Sequence, residues 1–397
     1  MVLRDLQVWT DEDERGDRLF NERNDRCRAR MVEAMRLVPA LAPAISAFMR
    51  LRADPASVLA GDLGSACFSV WRWAEGESLA GTAAHYAEFA AYLVPDNPAF
   101  ATAAGFACRG CAWYERAMVW YQRGYQLAVR CKNRREVIRG LTGRGAVYHA
   151  LGRYDEAREF YGRASRRALR TNKRRLGAVA RHYLFTLEAE QGRFEAGLDE
   201  VREALNLYPI YDRRVPALAH DFAFLLIAHR YFSRALPLLE RLTPAMRTPD
   251  ERVIVQAGLA RAAGARHDYE RYQAATEYVV KTAGVYSLYA PAGYVHLAHG
   301  ARSVGEWDRA AEYAERAEHL ASTRRDSLIA RDAAALRSEI AARTPPEQEN
   351  PTPCRDPADG IERMFKIRLR RWLAPDRRGT GANATAANVA DLERKRL

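Results

Sequence analysis

The chain has 397 residues, of which 48% are hydrophobic, and a formal net charge of +12 at pH 7. It has no run of about 18 apolar residues, which excludes an ordinary membrane-spanning helix. The opening MVLRDLQVWTDEDERGDRLF lacks an apolar stretch after a basic start, and the six cysteines are scattered. We therefore predict no signal peptide and no disulfide framework, and we expect a cytoplasmic protein.

Residues 1–60 are predicted to form N-terminal capping helices. Within them, residues 11–38 begin with charged side chains and continue with an apolar face that includes Met31 and Val38 at helical spacing. Pro39 should end this helix, because proline cannot continue the helical hydrogen bonds. The segment is expected to cover the exposed apolar face of the first repeat, as terminal caps do in repeat proteins.

A helical hairpin is predicted around Gly152. Gly145 and Tyr148 precede this glycine, and Ala157 and Tyr161 follow it, at steps of three and four that place them on helical faces. Gly152 itself lies where a tight turn needs a residue that can take positive φ. The small residues let two helices cross closely while the tyrosines fill the space around the contact. Because such a hairpin cannot bury its apolar face alone, we expect neighbouring copies.

The same frame recurs along the chain, at separations of roughly 34 to 40 residues, which is typical of helical-pair repeats. The copies are marked by Ala83 and Ala90; Gly105, Tyr114, Ala117 and Tyr121; Leu184, Gly192, Phe194, Gly197 and Ala204; Phe222, Ala223, Leu226, Ala235 and Leu239; Ala260 and Tyr269; and Leu297, Ala298, Gly305, Trp307, Ala310 and Ala317. The copy with Tyr272 in a small-residue position is the weakest. A generic bundle of amphipathic helices would give a similar periodicity and is the alternative.

These residues resemble the tetratricopeptide repeat, in which Leu-Gly, Tyr, a turn Gly, Ala, an aromatic residue, Ala and a final Pro follow one another. The copy around Gly152 departs from it at Arg144, where Leu is usual, and at Leu169, where Pro is usual. The resemblance implies an all-α fold, a right-handed α-solenoid of about seven tetratricopeptide-like helical hairpins over residues 61–342. Each repeat would contact its neighbours, and the stack would form a concave groove.

Ligands of tetratricopeptide proteins lie in the groove lined by the first helix of each hairpin. The resemblance implies that this groove presents Arg109, Arg139, His149, His182, Thr186, His220, Phe224, Arg261, His296, His299 and Arg302. The family's carboxylate clamp uses Lys and Asn, and this chain supplies neither at these places. Arginine and histidine could still hold an acidic segment or a terminal carboxylate through charge-assisted hydrogen bonds.

Positive charge is concentrated in residues 130–181, which contain 16 Lys or Arg and 4 Asp or Glu and so have a net charge of +12. We define a basic stripe by the residues expected at helix ends and in connections: Arg134, Arg135, Arg166, Arg167, Arg170, Lys173, Arg174 and Arg175. It should run along one edge of the repeats and attract phosphate backbones or acidic peptides. Aromatic residues are not interleaved with it, which argues against sequence-specific RNA binding.

The C-terminal part differs in composition. Residues 343–360 contain five prolines and are predicted to be an extended linker, residues 361–375 a basic amphipathic helix, and residues 376–397 a mostly disordered tail. The apolar face of that helix consists of Ile361, Met364, Phe365, Leu369, Trp372 and Leu373. The helix could dock on the repeats as a cap, enter a partner's groove, or bind an anionic membrane surface, for which only residues 361–373 are suited.

Metal and redox chemistry have little support. Cys108 and Cys111 form a C-x-x-C motif without a second pair of ligands, so core packing within a helix is preferred and a redox role is the alternative. His296 and His299 lie one turn apart but have no evident third ligand, so we assign them to the groove. We expect no cofactor and no bound metal.

Catalysis has little support either. No nucleophile-elbow, zinc-protease or phosphate-loop motif is present. His220 and Asp221 are neighbours, but adjacent helix residues point about 100° apart, so we do not expect them to form a base with its orienting carboxylate. The protein is predicted not to be an enzyme.

The sequence favours a scaffold or adaptor that holds a peptide or protein segment, expected to be acidic, in the concave groove. The array also resembles in architecture the Rap-type regulators of Gram-positive bacteria, whose repeat domain senses a signalling peptide, which implies a regulatory role. The alternative is nucleic-acid or anionic-surface binding through residues 130–181. Salt separates the two, because phosphate binding weakens steeply as salt rises.

Overall fold

The computed structural model describes residues 25–77, 79–246, 248–284, 287, 289–323, 326–352 and 356–373. Within these ranges every regular element is helical, so the predicted all-α fold is confirmed. None of the described helices combines the length and the apolar character needed to cross a bilayer. The predicted start of the capping helix and the C-terminal tail lie outside the described residues.

The chain divides into two compact units, Met1–Leu187 and Glu188–Leu397. The helices that begin in the first unit are α1 (Asp25–Leu37), α2 (Ala42–Ala53), α3 (Ala60–Gly76), α4 (Ala80–Leu93), α5 (Pro98–Gly110), α6 (Tyr114–Arg130), α7 (Arg134–Ala150), α8 (Tyr154–Arg170) and α9 (Arg174–Glu190). Those of the second unit are α10 (Phe194–Leu207), α11 (Val215–Ala228), α12 (Phe232–Leu242), α13 (Pro249–Ala265), α14 (Tyr269–Thr282), α15 (Ala290–Ser303), α16 (Trp307–Thr323), α17 (Ser327–Ala341) and α18 (Asp356–Leu373).

The predicted hairpin around Gly152 is formed by α7 and α8. Gly152 connects them with a φ of 72°. A Cβ on Gly145 would lie 2.8 Å from the Tyr161 ring, and one on Gly143 would lie 2.1 Å from the Tyr121 ring. Glycine is therefore needed at both positions, because the rings occupy the space between the helices.

Six of the described turns between paired helices use the left-handed backbone region, and three of these have glycine there. Gly192 and Gly305 take it with φ values of 68° and 83°. Ala112, Arg230 and His267 take it at equivalent turns, with φ values of 58°, 61° and 56°. A non-glycine residue pays roughly 1–2 kcal/mol for this conformation. No glycine marks these three turns in the sequence.

In the second unit, α13 and α15 pack so closely that their backbones are in direct contact. A Cβ on Gly264 of α13 would lie 2.6 Å from the carbonyl oxygen of Gly300 in α15. Tyr272, which made the copy with Ala260 and Tyr269 the weakest match, is fully buried and donates a hydrogen bond to Glu306 at 2.8 Å. That copy is thus held by a tyrosine where the pattern expects a small residue.

Helix α18 packs on α10, α11 and α12 within the second unit. It begins at Asp356, whereas the sequence pattern placed its start at residue 361. Ile361, Phe365 and Leu369 are fully buried, and the Phe365 ring stacks on that of Phe222 with centroids 5.6 Å apart. Because this apolar face is covered by the unit itself, it is not exposed for a membrane surface.

Candidate functional site

The groove of the second unit brings together five of the side chains named from the sequence. Helices α11, α13 and α15 each contribute to it. The Phe224 ring lies 4.5 Å from the His220 ring and 4.9 Å from the His296 ring, measured between centroids. The Arg261 Nη1 atom lies 3.3 Å from His296 Nδ1. His299 completes the cluster one turn beyond His296.

Arg261 carries a permanent positive charge in this cluster. Burial lowers the pKa of His296 well below its usual value, and the charges of Arg261 and His220 lower it further. Burial and Arg261 lower the pKa of His299 in the same way. Both imidazoles are therefore neutral near pH 7, and the expectation that histidines add charge to the groove does not hold at these two positions.

A carboxylate from the C-terminal part of the chain lies on Arg261. Glu347 accepts two hydrogen bonds from this guanidinium, at 3.0 Å from Nε and 2.7 Å from Nη2. His299 Nδ1 lies 3.6 Å from the same carboxylate. Bidentate pairs of this kind combine charge with defined geometry. Sequence reasoning did not identify Glu347, and the only signal was an acidic PEQEN run in a basic protein.

Two further residues of the same segment make hydrogen bonds to the repeats. Glu349 accepts from the backbone N–H of Ser233 at 3.1 Å and from its hydroxyl at 2.9 Å. The Asn350 backbone N–H donates to the Arg230 carbonyl at 2.8 Å, and its side-chain amide donates to the His229 carbonyl at 3.1 Å. Residues 344–352 thus form a segment without helix or strand that is bound through Glu347, Glu349 and Asn350 to α13, to α12 and to the turn after α11.

Two other predicted residues of this unit have internal partners. Arg302 is 3% exposed and donates to Glu339 of α17 at 2.6 Å. His220 Nδ1 lies 2.9 Å from the Asp221 carboxylate, so the expectation that these neighbours do not pair is wrong. Rotation about the side-chain bonds closes the angle that separates their Cα–Cβ directions. His220 nevertheless faces Phe224 and belongs to the groove cluster.

In the first unit, Arg109 is surrounded by tyrosines. Burial lowers the pKa of its guanidinium, but the phenols of Tyr183, Tyr121 and Tyr161 outweigh that effect and raise it overall. Tyr161 and Tyr183 stack with ring centroids 5.2 Å apart. The Arg109 Nε atom is buried and has no hydrogen-bond acceptor in the described part of the chain.

The remaining predicted residues of this unit lie at different depths. His149 Nδ1 is 3.4 Å from the Tyr161 hydroxyl, which links it to the tyrosine cluster. Thr186 donates to the Tyr183 carbonyl at 2.9 Å, and His182 is buried. Arg139 is exposed and pairs with Glu136 at 3.0 Å. Arg109 and His149 therefore share one cluster, whereas Arg139 lies near the opposite end of α7 from His149.

All eight residues of the basic stripe are exposed. They lie at the start of α7, at the end of α8, in the following turn and at the start of α9. Because α7 and α8 form an antiparallel hairpin, these ends share one edge of the first unit. The stripe consists of arginine and lysine side chains and includes no aromatic residue.

The C-x-x-C cysteines are packed at the end of α5. Both are free thiols. Burial raises the pKa of Cys108 to about 12, and Glu88 adds to the effect. Burial also raises the pKa of Cys111. A reactive thiolate is disfavoured by these shifts. Among the described residues, no three His, Cys, Asp or Glu side chains are grouped closely enough to hold a metal ion.

No protein-family model and no curated protein matches the chain. A solved structure, "the Rap conjugation gene regulator of the plasmid pLS20 in complex with the Phr* peptide", is similar at 14% identity and TM-score 0.50, over 86% of this chain and 96% of that chain. The fold is the tetratricopeptide-type helical repeat. A tetratricopeptide repeat protein from Parabacteroides merdae (17% identity, TM-score 0.46, 69% of this chain and 98% of that chain) and yeast Tom70 (14%, 0.47, 86% and 70%) are more distant in structure.

Proposed function

We propose that the protein is a non-enzymatic scaffold or adaptor that binds an acidic peptide or protein segment in a groove lined by the first helices of its hairpins. The observation that carries this proposal is the environment of Arg109. Its guanidinium is held among phenols, its Nε has no acceptor among the described residues, and no described carboxylate pairs with it. The positive charge of Arg109 lowers the pKa of the Glu75 carboxyl, but burial has the larger effect, so this pKa is raised overall. A largely buried cation gains most from an anionic group that binds beside it.

The surroundings of Arg109 also suit a peptide. The Tyr183 ring is partly exposed, stacks on the buried Tyr161 ring, and has a hydroxyl that can donate a hydrogen bond. The Rap conjugation gene regulator, which has a similar fold, was solved with a peptide, and this is consistent with peptide binding and a regulatory role here. The cytoplasmic location stays a prediction.

Selection from a displayed library of random peptides tests the proposal. We expect the full chain to enrich peptides with Asp and Glu, and a selected peptide to lose about tenfold in affinity with Arg109→Gln, because a hydrogen bond to a charged group contributes about 1.5–3 kcal/mol. Arg166→Gln is the matched control, since it removes the same charge from an exposed position. Selection without acidic enrichment, or affinity that falls with Arg166→Gln and not with Arg109→Gln, would contradict the proposal.

A second candidate function is binding of nucleic acid or another anionic surface by the basic stripe. The alignment of its eight exposed cations along one edge favours it. Affinity for a random DNA duplex should then fall steeply with salt, and changing Arg166, Arg167 and Lys173 to Ser should reduce the salt slope by about one for each lost phosphate contact. Arg109→Gln should leave the slope unchanged. If the triple substitution does not alter the salt dependence of DNA affinity, the basic stripe is not the binding surface.

A further inference from the structure

The extended segment in the second unit is held by side-chain and main-chain contacts that together define a sequence. Arg261 binds Glu347, and Ser233 binds Glu349, which is two residues further on. Arg266 lies 3.8 Å from the Glu349 carboxylate and adds positive charge there. Alternate residues of an extended chain point to the same side, so both glutamates face the repeats while the residue between them faces outward.

The third recognition point is the end of α11. The carbonyls of His229 and Arg230 lie in the turn that follows this helix, where carbonyl groups lack intrahelical partners. The Asn350 backbone and side-chain N–H groups donate to both of them. Arg230 has a φ of 61°, and this left-handed conformation is part of the turn that presents its carbonyl to the segment. An amide side chain satisfies this site, whereas a carboxylate there would be repelled.

We propose that the groove of the second unit is a binding site for an extended acidic peptide of the form Glu-x-Glu-Asn, and that residues 347–350 of this chain are its resident occupant. This inference rests on the proposed function, because it assigns one groove a ligand of the same chemical class. The partner is a protein that carries such an acidic segment, and it binds where the resident segment has been displaced.

The resident segment is not fully enclosed by the repeats. The side chains of Glu347 and Glu349 keep 23% and 25% of their surface exposed. A cavity of about 410 Å³ adjoins Arg261 and His299, the two residues that contact Glu347, and lies between α15 and α17. Helix α18 has its own anchors, including the Arg234 pair with Glu362 at 2.7 Å and the buried Phe365.

A peptide with the sequence of residues 344–352, TPPEQENPT, tests the proposal against the full chain. The double variant Glu347→Gln/Glu349→Gln should weaken the resident segment and bind the labelled peptide about tenfold more tightly than the wild-type chain does. A peptide with both glutamates changed to Gln should lose that gain, and so should the double variant when Arg261→Gln is added. Glu312→Gln/Glu315→Gln, on the exposed face of α16, is the charge-matched control and should behave as the wild type.

Amide hydrogen exchange at Asn350 supplies the second readout, because its N–H is bonded to the Arg230 carbonyl. Protection should fall in the Gln double variant and persist in α18. If protection falls without any gain in peptide affinity, the groove is not a site for this ligand. If neither changes, residues 347–350 are not a displaceable occupant. Both readouts report on the segment and groove of the second unit, whereas library selection is tested through Arg109 of the first unit. Either result can therefore fail while the other succeeds.

Discussion

The grooves of the two units are built from the same type of hairpin, yet they treat a buried arginine differently. In the second unit, Arg261 forms a bidentate pair with Glu347. In the first unit, Arg109 lies among tyrosines and its Nε has no acceptor among the described residues. The repeat determines where a first-helix side chain points. A segment far away in the sequence determines whether its charge is neutralised.

The units also differ in what separates their helices. In the first unit the Tyr121 ring lies against two glycines, Gly105 and Gly143. In the second unit Gly264 and Gly300 bring two helix backbones into direct contact. A ring can rotate or shift when its neighbour changes, whereas a helix backbone moves only as a whole. We therefore expect the second contact to tolerate substitution less.

The largest effect should come from Gly264→Ala. Its Cβ would meet backbone atoms of Gly300 at 2.6 Å and 2.9 Å, so α13 and α15 must move apart. We expect a loss of about 2–3 kcal/mol in the free energy of unfolding, measured by urea denaturation. Gly162→Ala is the control, because the nearest atom is the tip of the Arg166 side chain and alanine is the better helix former. It should be neutral or stabilising by up to about 1 kcal/mol.

The two arginines give the next test. Arg261→Gln should destabilise the second unit by about 1–3 kcal/mol, because Glu347 loses a charged partner in a largely buried site. Arg109→Gln should cost less than about 1 kcal/mol, since no described carboxylate forms a hydrogen-bonded ion pair with it. Hydrogen exchange of α13 and of α5 measures the two effects separately. Equal losses would show that Arg109 has a structural role comparable to that of Arg261.

Acidification should weaken the second unit through its buried histidines. In the folded state, burial and Arg261 hold the pKa values of His296 and His299 well below the usual one, so both stay neutral. In the unfolded chain they take up protons near their ordinary pKa, and the free energy of unfolding falls by roughly 1 kcal/mol for each histidine between about pH 7.5 and pH 6. Urea denaturation at several pH values measures the slope. The double variant His296→Gln/His299→Gln should reduce the dependence of the free energy of unfolding on pH. If this dependence does not change, it comes from other titratable groups.

The basic stripe should matter least for stability. Arg166 and Arg167 are exposed, and changing both to Ser should alter the free energy of unfolding by at most about 0.5 kcal/mol for each substitution. Thermal denaturation followed by circular dichroism measures this. A larger loss would mean that the stripe helps to hold the first unit together.

Much of the fold could be predicted because a hairpin is a local pattern. Gly145, Gly152 and Tyr161 lie within 17 residues of one another, and their spacing reports a turn and a close crossing directly. The turns at Arg230 and His267 take the same left-handed conformation, but no glycine marks them in the sequence, so the spacing of the helix residues alone indicates these two copies.

The site was less predictable because its decisive contacts are distant in sequence. Glu347 binds Arg261 across 86 positions. No local pattern reports such a pair, and the proline-rich composition around Glu347 indicated only an extended chain. Periodicity predicted groove positions for Phe224, His296 and His299, but it could not predict that burial lowers the pKa values of the two histidines, because burial depends on the whole unit.

The resident segment belongs to the same polypeptide as its groove, and that has a kinetic and thermodynamic consequence for any competitor. A ligand tethered by a short flexible connection has an effective concentration in the millimolar range. Segment 344–352 is tethered at both ends, by α17 and by the docked α18. A free peptide with the same intrinsic affinity would have to reach a comparable concentration to occupy half of the grooves. Partners that bind at lower concentrations would have to engage a second surface, or arrive after α18 has been released.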